Sequence, residues 1–260
     1  MDRRKFIKNI ALTAALAGTA PSLLASVTQG ENDVIQEGGL SSDQYKVLFI
    51  GDSITDGNRT RDNDWNHVLG HGFAYLIASR MWFEYPKNNL MFYNRGISGN
   101  RVSDLLKRWD SDVLDLKPNV ISILVGINDV YFMANEGIVQ TIEEFEDQYR
   151  QILVKTRAAM PDSVIVLCEP FYLPGSRVAV NRAAWDKETP LRQQVVRRLA
   201  AEFNTLLVSL QQPFTQACKN APAGHWIWDG IHPMPGGHEL IAREWIKVVA
   251  KEIKPLSKAL

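Results

Sequence analysis

The sequence predicts an α/β fold, a parallel sheet with helices packed on both faces. Three observations lead there. Short apolar runs recur without the polar alternation of a half-exposed strand, as in strands buried on both sides. Segments with helical spacing separate these runs. Loops rich in Gly, Asp and Asn follow the runs, where parallel sheets gather their ligands. The scale fits as well. A chain of 260 residues, 45% hydrophobic and 22% charged, suits one domain with a full core plus a short appendage.

Taken in order, the chain opens with Arg3, Arg4, Lys5 and Lys8 against Asp2 alone. The weakly apolar run Ile10–Ala20 follows, so residues 1–25 read as an export signal. Arg3-Arg4-Lys5-Phe6-Ile7-Lys8 resembles a twin-arginine signal, with Asp2 as a small departure. The run is too short and too rich in Ala and Thr for a spanning helix, so cleavage without stable membrane insertion is expected. Residues 26–44, polar and Gly-bearing from Asn32 to Ser42, read as a linker, and 45–260 as a single domain.

Within that domain Tyr45–Ile50, Asn89–Tyr93, Val120–Val125, Val164–Cys168 and Thr205–Val208 read as strands. Thr141-x-x-Glu144 is a capping box that starts a helix with Phe145, Tyr149, Ile152 and Leu153 on one face. Thr189-Pro190 reads as an N-cap and first helical residue, with Leu191, Val195, Leu199 and Phe203 following at four-residue steps. A last helix carries Leu240, Ile241, Trp245, Val248 and Val249.

Several function classes drop out. Lys+Arg and Asp+Glu are 29 each, so no global basic field exists to hold a nucleic acid. Two cysteines, Cys168 and Cys218, exclude a disulfide scaffold and a four-Cys zinc site, and a single bond between them stays open. Asp62-x-Asp64-x-Asn66 has the start of a calcium loop, but His67 stands where Gly is needed and Phe73 where Glu is needed. His67 and His71 lack the Glu of a zinc-protease helix and read as surface residues. No Walker or dinucleotide motif is present. No metal or cofactor is expected, and a homo-oligomer stays open.

The strand ends carry the chemistry. Gly51-Asp52-Ser53-Ile54-Thr55-Asp56-Gly57 follows the first, Asn94-Arg95-Gly96-Ile97-Ser98-Gly99-Asn100 the second and Gly126-Ile127-Asn128-Asp129 the third. Trp228-Asp229-Gly230-Ile231-His232-Pro233 precedes the last helix. These parts suit a serine esterase. A Ser hydroxyl attacks well only when a base takes its proton, and His232 suits that task. Asp229, three residues earlier, can fix the imidazole tautomer. Three donors suit the oxyanion: the Ser53 N–H at a strand-to-helix turn, the Gly99 N–H, unobstructed by a side chain, and the Asn128 amide.

With those blocks in that order, the chain resembles the GDSL-type hydrolases, also called SGNH hydrolases after their Ser, Gly, Asn and His blocks. The resemblance runs from about Lys46 to Arg243. It is strongest to the acetylxylan esterases, through Gly96-Ile-Ser-Gly-Asn100, Arg108-Trp109, Val125-Gly-Ile-Asn-Asp-Val130, Pro170-Phe-Tyr172 and Trp228-Asp229-x-x-His232-Pro233. It implies a three-layer, flavodoxin-like SGNH fold with about five parallel strands. It implies Ser53 as nucleophile, Asp229 and His232 as its partners, Gly99 and Asn128 as oxyanion donors, and acetylated plant polysaccharide, xylan above all, as substrate. Asp52 and Asp129 are expected to hold loops. Glu169, Tyr172 and Trp228 are candidate substrate contacts, Trp65, Trp226 and Trp228 candidates for a sugar platform, and Trp228 with Ile231 candidate walls of an acetyl pocket. Lipase, lysophospholipase or thioesterase activity on the same scaffold is the nearest alternative, and a glycan-binding protein without catalysis a more distant one.

Overall fold

The computed structural model describes residues 44–250 except Asn63, together with Glu252. The segments read as export signal and most of the linker therefore lie outside the described residues. Five strands form one parallel sheet: β1 (Tyr45–Gly51), β2 (Leu90–Asn94), β3 (Val120–Leu124), β4 (Val164–Cys168) and β5 (Leu206–Val208). Their order is β2-β1-β3-β4-β5. The connections supply α1 (Ser53–Asp56), α2 (Phe73–Glu84), α3 (Val102–Lys107), α4 (Ile127–Glu136), α5 (Ile142–Ala159), α6 (Ser176–Ala179), α7 (Arg182–Glu202), α8 (Gln211–Ala217), α9 (Ala223–Trp226) and α10 (Pro235–Val249). A short π-helical turn, Asp110–Leu114, follows α3.

The apolar runs are continuous because each strand feeds two cores. Along β1, Val47 and Phe49 enter a core with Phe73, Ile77 and Trp245, while Leu48 and Ile50 enter a core with Val102, Trp109, Tyr149 and Leu199. The first core lies under α2 and α10, the second under α3, α5 and α7, giving three layers. One polar residue interrupts β3. Ser122 is buried, but the Trp245 indole donates to its hydroxyl at 3.0 Å, so neither polar group is orphaned. Cys168 and Cys218 are free thiols.

The sheet changes winding direction between β1 and β3. The crossover from β1 covers the first core through α2 and the one from β3 covers the second through α5, and a crevice opens at such a switch. The loops carrying Ser53 and Asn128 leave the sheet at this point, and the loop carrying Gly99 leaves β2 beside it.

One helix start differs from the sequence reading. Helix α7 begins at Arg182, with Asn181 as N-cap accepting from the Ala184 N–H, and Pro190 lies inside it. Trp185 explains the difference. It is fully buried in the first turn and its indole donates to Asn135 Oδ1 at 3.0 Å, so one aromatic anchors a turn that shows no apolar period. The capping box at Thr141 is present in both directions: Glu144 N–H donates to Thr141 Oγ1 and Thr141 N–H to Glu144 Oε2.

Candidate active site

Asp52 ends the β1 loop as the N-cap of α1, its Oδ1 accepting the Ile54 N–H at 3.0 Å. That leaves Ser53 as the first residue of the helix, its hydroxyl at the lip of the crevice. Ser53 Oγ lies 2.9 Å from His232 Nε2, although 179 positions separate the two residues. His232 Nδ1 lies 2.7 Å from Asp229 Oδ2. Asp229 is fully buried and heavily hydrogen-bonded. Its Oδ1 accepts the Ile231 and His232 N–H groups, and Arg177 Nε donates to Oδ2 at 2.7 Å. Burial alone would raise this carboxyl. The His232 ring, then the backbone N–H groups of His232 and Ile231, overcome it and hold Asp229 well below the usual carboxylate range. It therefore stays an anion that accepts from the ring, a geometry suited to a Ser–His–Asp relay.

The loops that carry the donor candidates are laced together. Asn94 Nδ2 donates to the carbonyls of Thr55 and Leu69, and its Oδ1 accepts the Gly96 N–H. Asp56 Oδ2 accepts the Ser98 N–H. Arg108, which the sequence offered only as part of a shared dipeptide, donates to Gly51 O, Arg95 O and Asn100 Oδ1 and so joins the first two loops. Asn128, on α4, gives one amide hydrogen to Asn100 O at 3.1 Å, which leaves its second hydrogen for a ligand. Gly99 sits at φ +84°, while a Cβ there would meet nothing within 4 Å. Its backbone conformation, not lack of space, is what calls for glycine.

Asp52 and Asp129 are buried and hold loops, as the sequence suggested. Asp129 accepts the Val102 N–H with both oxygens, at 3.2 and 3.3 Å. Burial pushes Asp52 up to about 7 and Asp129 up to about 6.

Ser53 and His232 open onto a cleft of about 360 Å³, with Asp56, Asn58, His71 and Trp228 among its walls. The Trp228 ring, 58% exposed, stacks beside His232 with centroids 6.2 Å apart. The other substrate candidates lie elsewhere. Glu169 is fully buried, paired with Arg197 and accepting the Leu210 N–H. Tyr172 lines a separate hollow with Arg182 and Cys218, its hydroxyl bonded to Asp186. Ile231 is core, and Trp226 faces another groove with Leu240 and Lys247. Trp65 is exposed and not among the cleft walls.

Two cleft residues lacked a usable sequence signal. His71 is exposed, as read, but lies at the cleft wall, whereas His67 pairs with Asp64 away from it. His238, on the first turn of α10, lines the cleft too. Among the described residues no group of three or more His, Cys, Asp or Glu is placed to hold a metal. None of the described helices is long and apolar enough to cross a membrane.

Residues 49–240 match the model of the GDSL-like lipase/acylhydrolase family. An acetylxylan esterase of Geobacillus stearothermophilus is 34% identical over 215 residues, covering 80% of this chain and 94% of that one. The crystal structure of Axe2, an acetylxylan esterase of the same organism, superposes with a TM-score of 0.68 at 32% identity over 78% of this chain and 93% of Axe2. A GDSL-like protein of Parabacteroides merdae gives 0.75 at 37% identity, over 79% of this chain and 94% of its own.

Proposed function

The chain belongs to the GDSL-like lipase/acylhydrolase family and is a carboxylic ester hydrolase; from that premise we propose that it removes acetyl groups from plant polysaccharide, acetylated xylan above all. The observation that carries the mechanism is the unbroken run of short contacts from Ser53 Oγ through His232 to Asp229. His232 Nε2 takes the Ser53 proton as Oγ attacks the ester carbonyl. Asp229 holds Nδ1–H and steadies the imidazolium. The Ser53 and Gly99 N–H groups and the Asn128 amide stabilise the oxyanion. His232 then protonates the departing sugar oxygen as its bond to the acyl carbon breaks, and water, deprotonated by the same ring, attacks the acyl-enzyme to release acetate, the proton returning to Ser53 Oγ. The resemblance to acetylxylan esterases and the exposed Trp228 beside the nucleophile support a carbohydrate alcohol. The basic, Ala-rich start of the chain supports export, to the periplasm or beyond.

The test is acetate release from acetylated xylans, pectins and sialosides, set beside 4-nitrophenyl esters of rising chain length. Release from xylan, with a sharp fall beyond about four acyl carbons, is expected because an acetyl pocket rejects longer chains. Rates that climb with chain length would favour a lipase or thioesterase instead.

A further inference from the structure

The cleft wall holds a second imidazole that the proposed relay does not use. His238 Nδ1 accepts the N–H of Phe73, the first residue of α2, at 3.2 Å. Gly72, the N-cap of that helix, offers no capping side chain, so the ring from α10 takes the role. The fit is close, for a Cβ on Gly72 would come within 3.1 Å of the His238 ring. With Nδ1 accepting, the ring proton must sit on Nε2.

The ring also stays neutral. Burial comes first among the causes, followed by the charges of His71 and His232, and His238 falls to about 4. The positive end of α2 opposes an imidazolium as well. The outcome is a fixed, uncharged Nε2–H donor, and among the described residues no acceptor is bonded to it. The ring, 7% exposed, lines the cleft that Ser53 and His232 share, which sets this unpartnered donor against the space a substrate enters.

The acetyl ester limits what that partner is. Its carbonyl oxygen goes to the Ser53, Gly99 and Asn128 donors, and its methyl accepts nothing. The acceptor must come from the alcohol side. We propose that His238 Nε2–H binds a neutral oxygen of that alcohol, a hydroxyl or ring oxygen of the sugar that carries the acetyl group, and so acts as a specificity-determining residue. This rests on the carbohydrate-deacetylase reading above. An uncharged donor gives up the attraction that a phosphate or carboxylate headgroup would reward, which suits a neutral saccharide.

Two substrates sharing the acetyl group test this. His238→Leu is expected to lower kcat/KM about tenfold on acetylated xylo-oligosaccharides, the worth of one neutral hydrogen bond. On 4-nitrophenyl acetate, which lacks the sugar, it should stay within about twofold. His238→Gln, which keeps both an acceptor for Phe73 and a donor, should restore most of the loss. Equal losses on both substrates, or none on either, would overturn the assignment, as would failure of glutamine to rescue. A wild-type enzyme that cleaves 4-nitrophenyl acetate but no acetylated saccharide would instead refute the substrate reading itself. A further measurement needs no substitution. In ¹⁵N NMR of the wild-type protein, the His238 Nε2 signal should move on addition of xylotriose, and a signal that stays put while xylotriose binds would overturn the proposal.

Discussion

Ser53 follows a carboxyl group that has almost no contact with water. Asp52 Oδ2 has no hydrogen-bond partner among the described residues, and the whole side chain is buried. Burial dominates its titration and raises it from 3.8 to about 7. The fold therefore favours the protonated form. The stability this contributes is fully present below about pH 4 and is lost as pH rises through about 7. His238 works in the opposite sense: its contribution is present above pH 6.5 and lost as pH falls through about 4. Thermal melts of wild type and Asp52→Asn compared between pH 4 and 8 separate the two. The decline toward neutral pH should be shallower in the variant, and identical slopes would refute a buried neutral Asp52. At the same scale, Asn128→Ala should lower kcat by about 10²–10³, as removal of one oxyanion donor does. A fall in affinity with kcat unchanged would place Asn128 in ground-state binding instead.

At the scale of elements, the α5 capping box should behave as an isolated device. Thr141 and Glu144 are exposed, so Thr141→Ala should cost about 1 kcal/mol in chemical denaturation and leave kcat/KM alone. A cost near zero would mean that packing of Phe145, Tyr149 and Ile152 alone holds the helix start. Strands and capped helices were legible in the sequence because their signals are local: near-continuous apolar runs for β1, β3 and β4, reciprocal capping at Thr141. The start of α7 was not, because a single buried Trp185 replaces a periodic pattern there. The site divides the same way. Ser53, Gly99, Asn128, Asp229 and His232 stand in compact blocks beside strand ends or a helix start. Arg108, Arg177 and His238 act through contacts across 57, 52 and 165 positions, which no local pattern encodes. Glu169 misled for a related reason. It ends a strand, as functional carboxylates often do, but here it caps the turn into α8 from inside the core.

At the scale of the molecule, the winding order of the sheet creates the site, and all of its parts lie within one compact unit, Ser42–Leu260. A chain beginning at Ser42 should therefore fold and retain kcat/KM on 4-nitrophenyl acetate within about twofold, since every donor and acceptor of the relay lies inside it. A large loss would assign residues 1–41 a part in the fold or the site.

The central claim is that Ser53 is the atom-bearing partner in acyl transfer, activated by His232. Peptide mass spectrometry after exposure to a fluorophosphonate addresses it most directly. One adduct, on Ser53, is expected, its formation tracking loss of esterase activity and slowed strongly by His232→Gln. An active enzyme whose Ser53 stays unmodified, or whose inactivating adduct sits on another residue, would contradict the account.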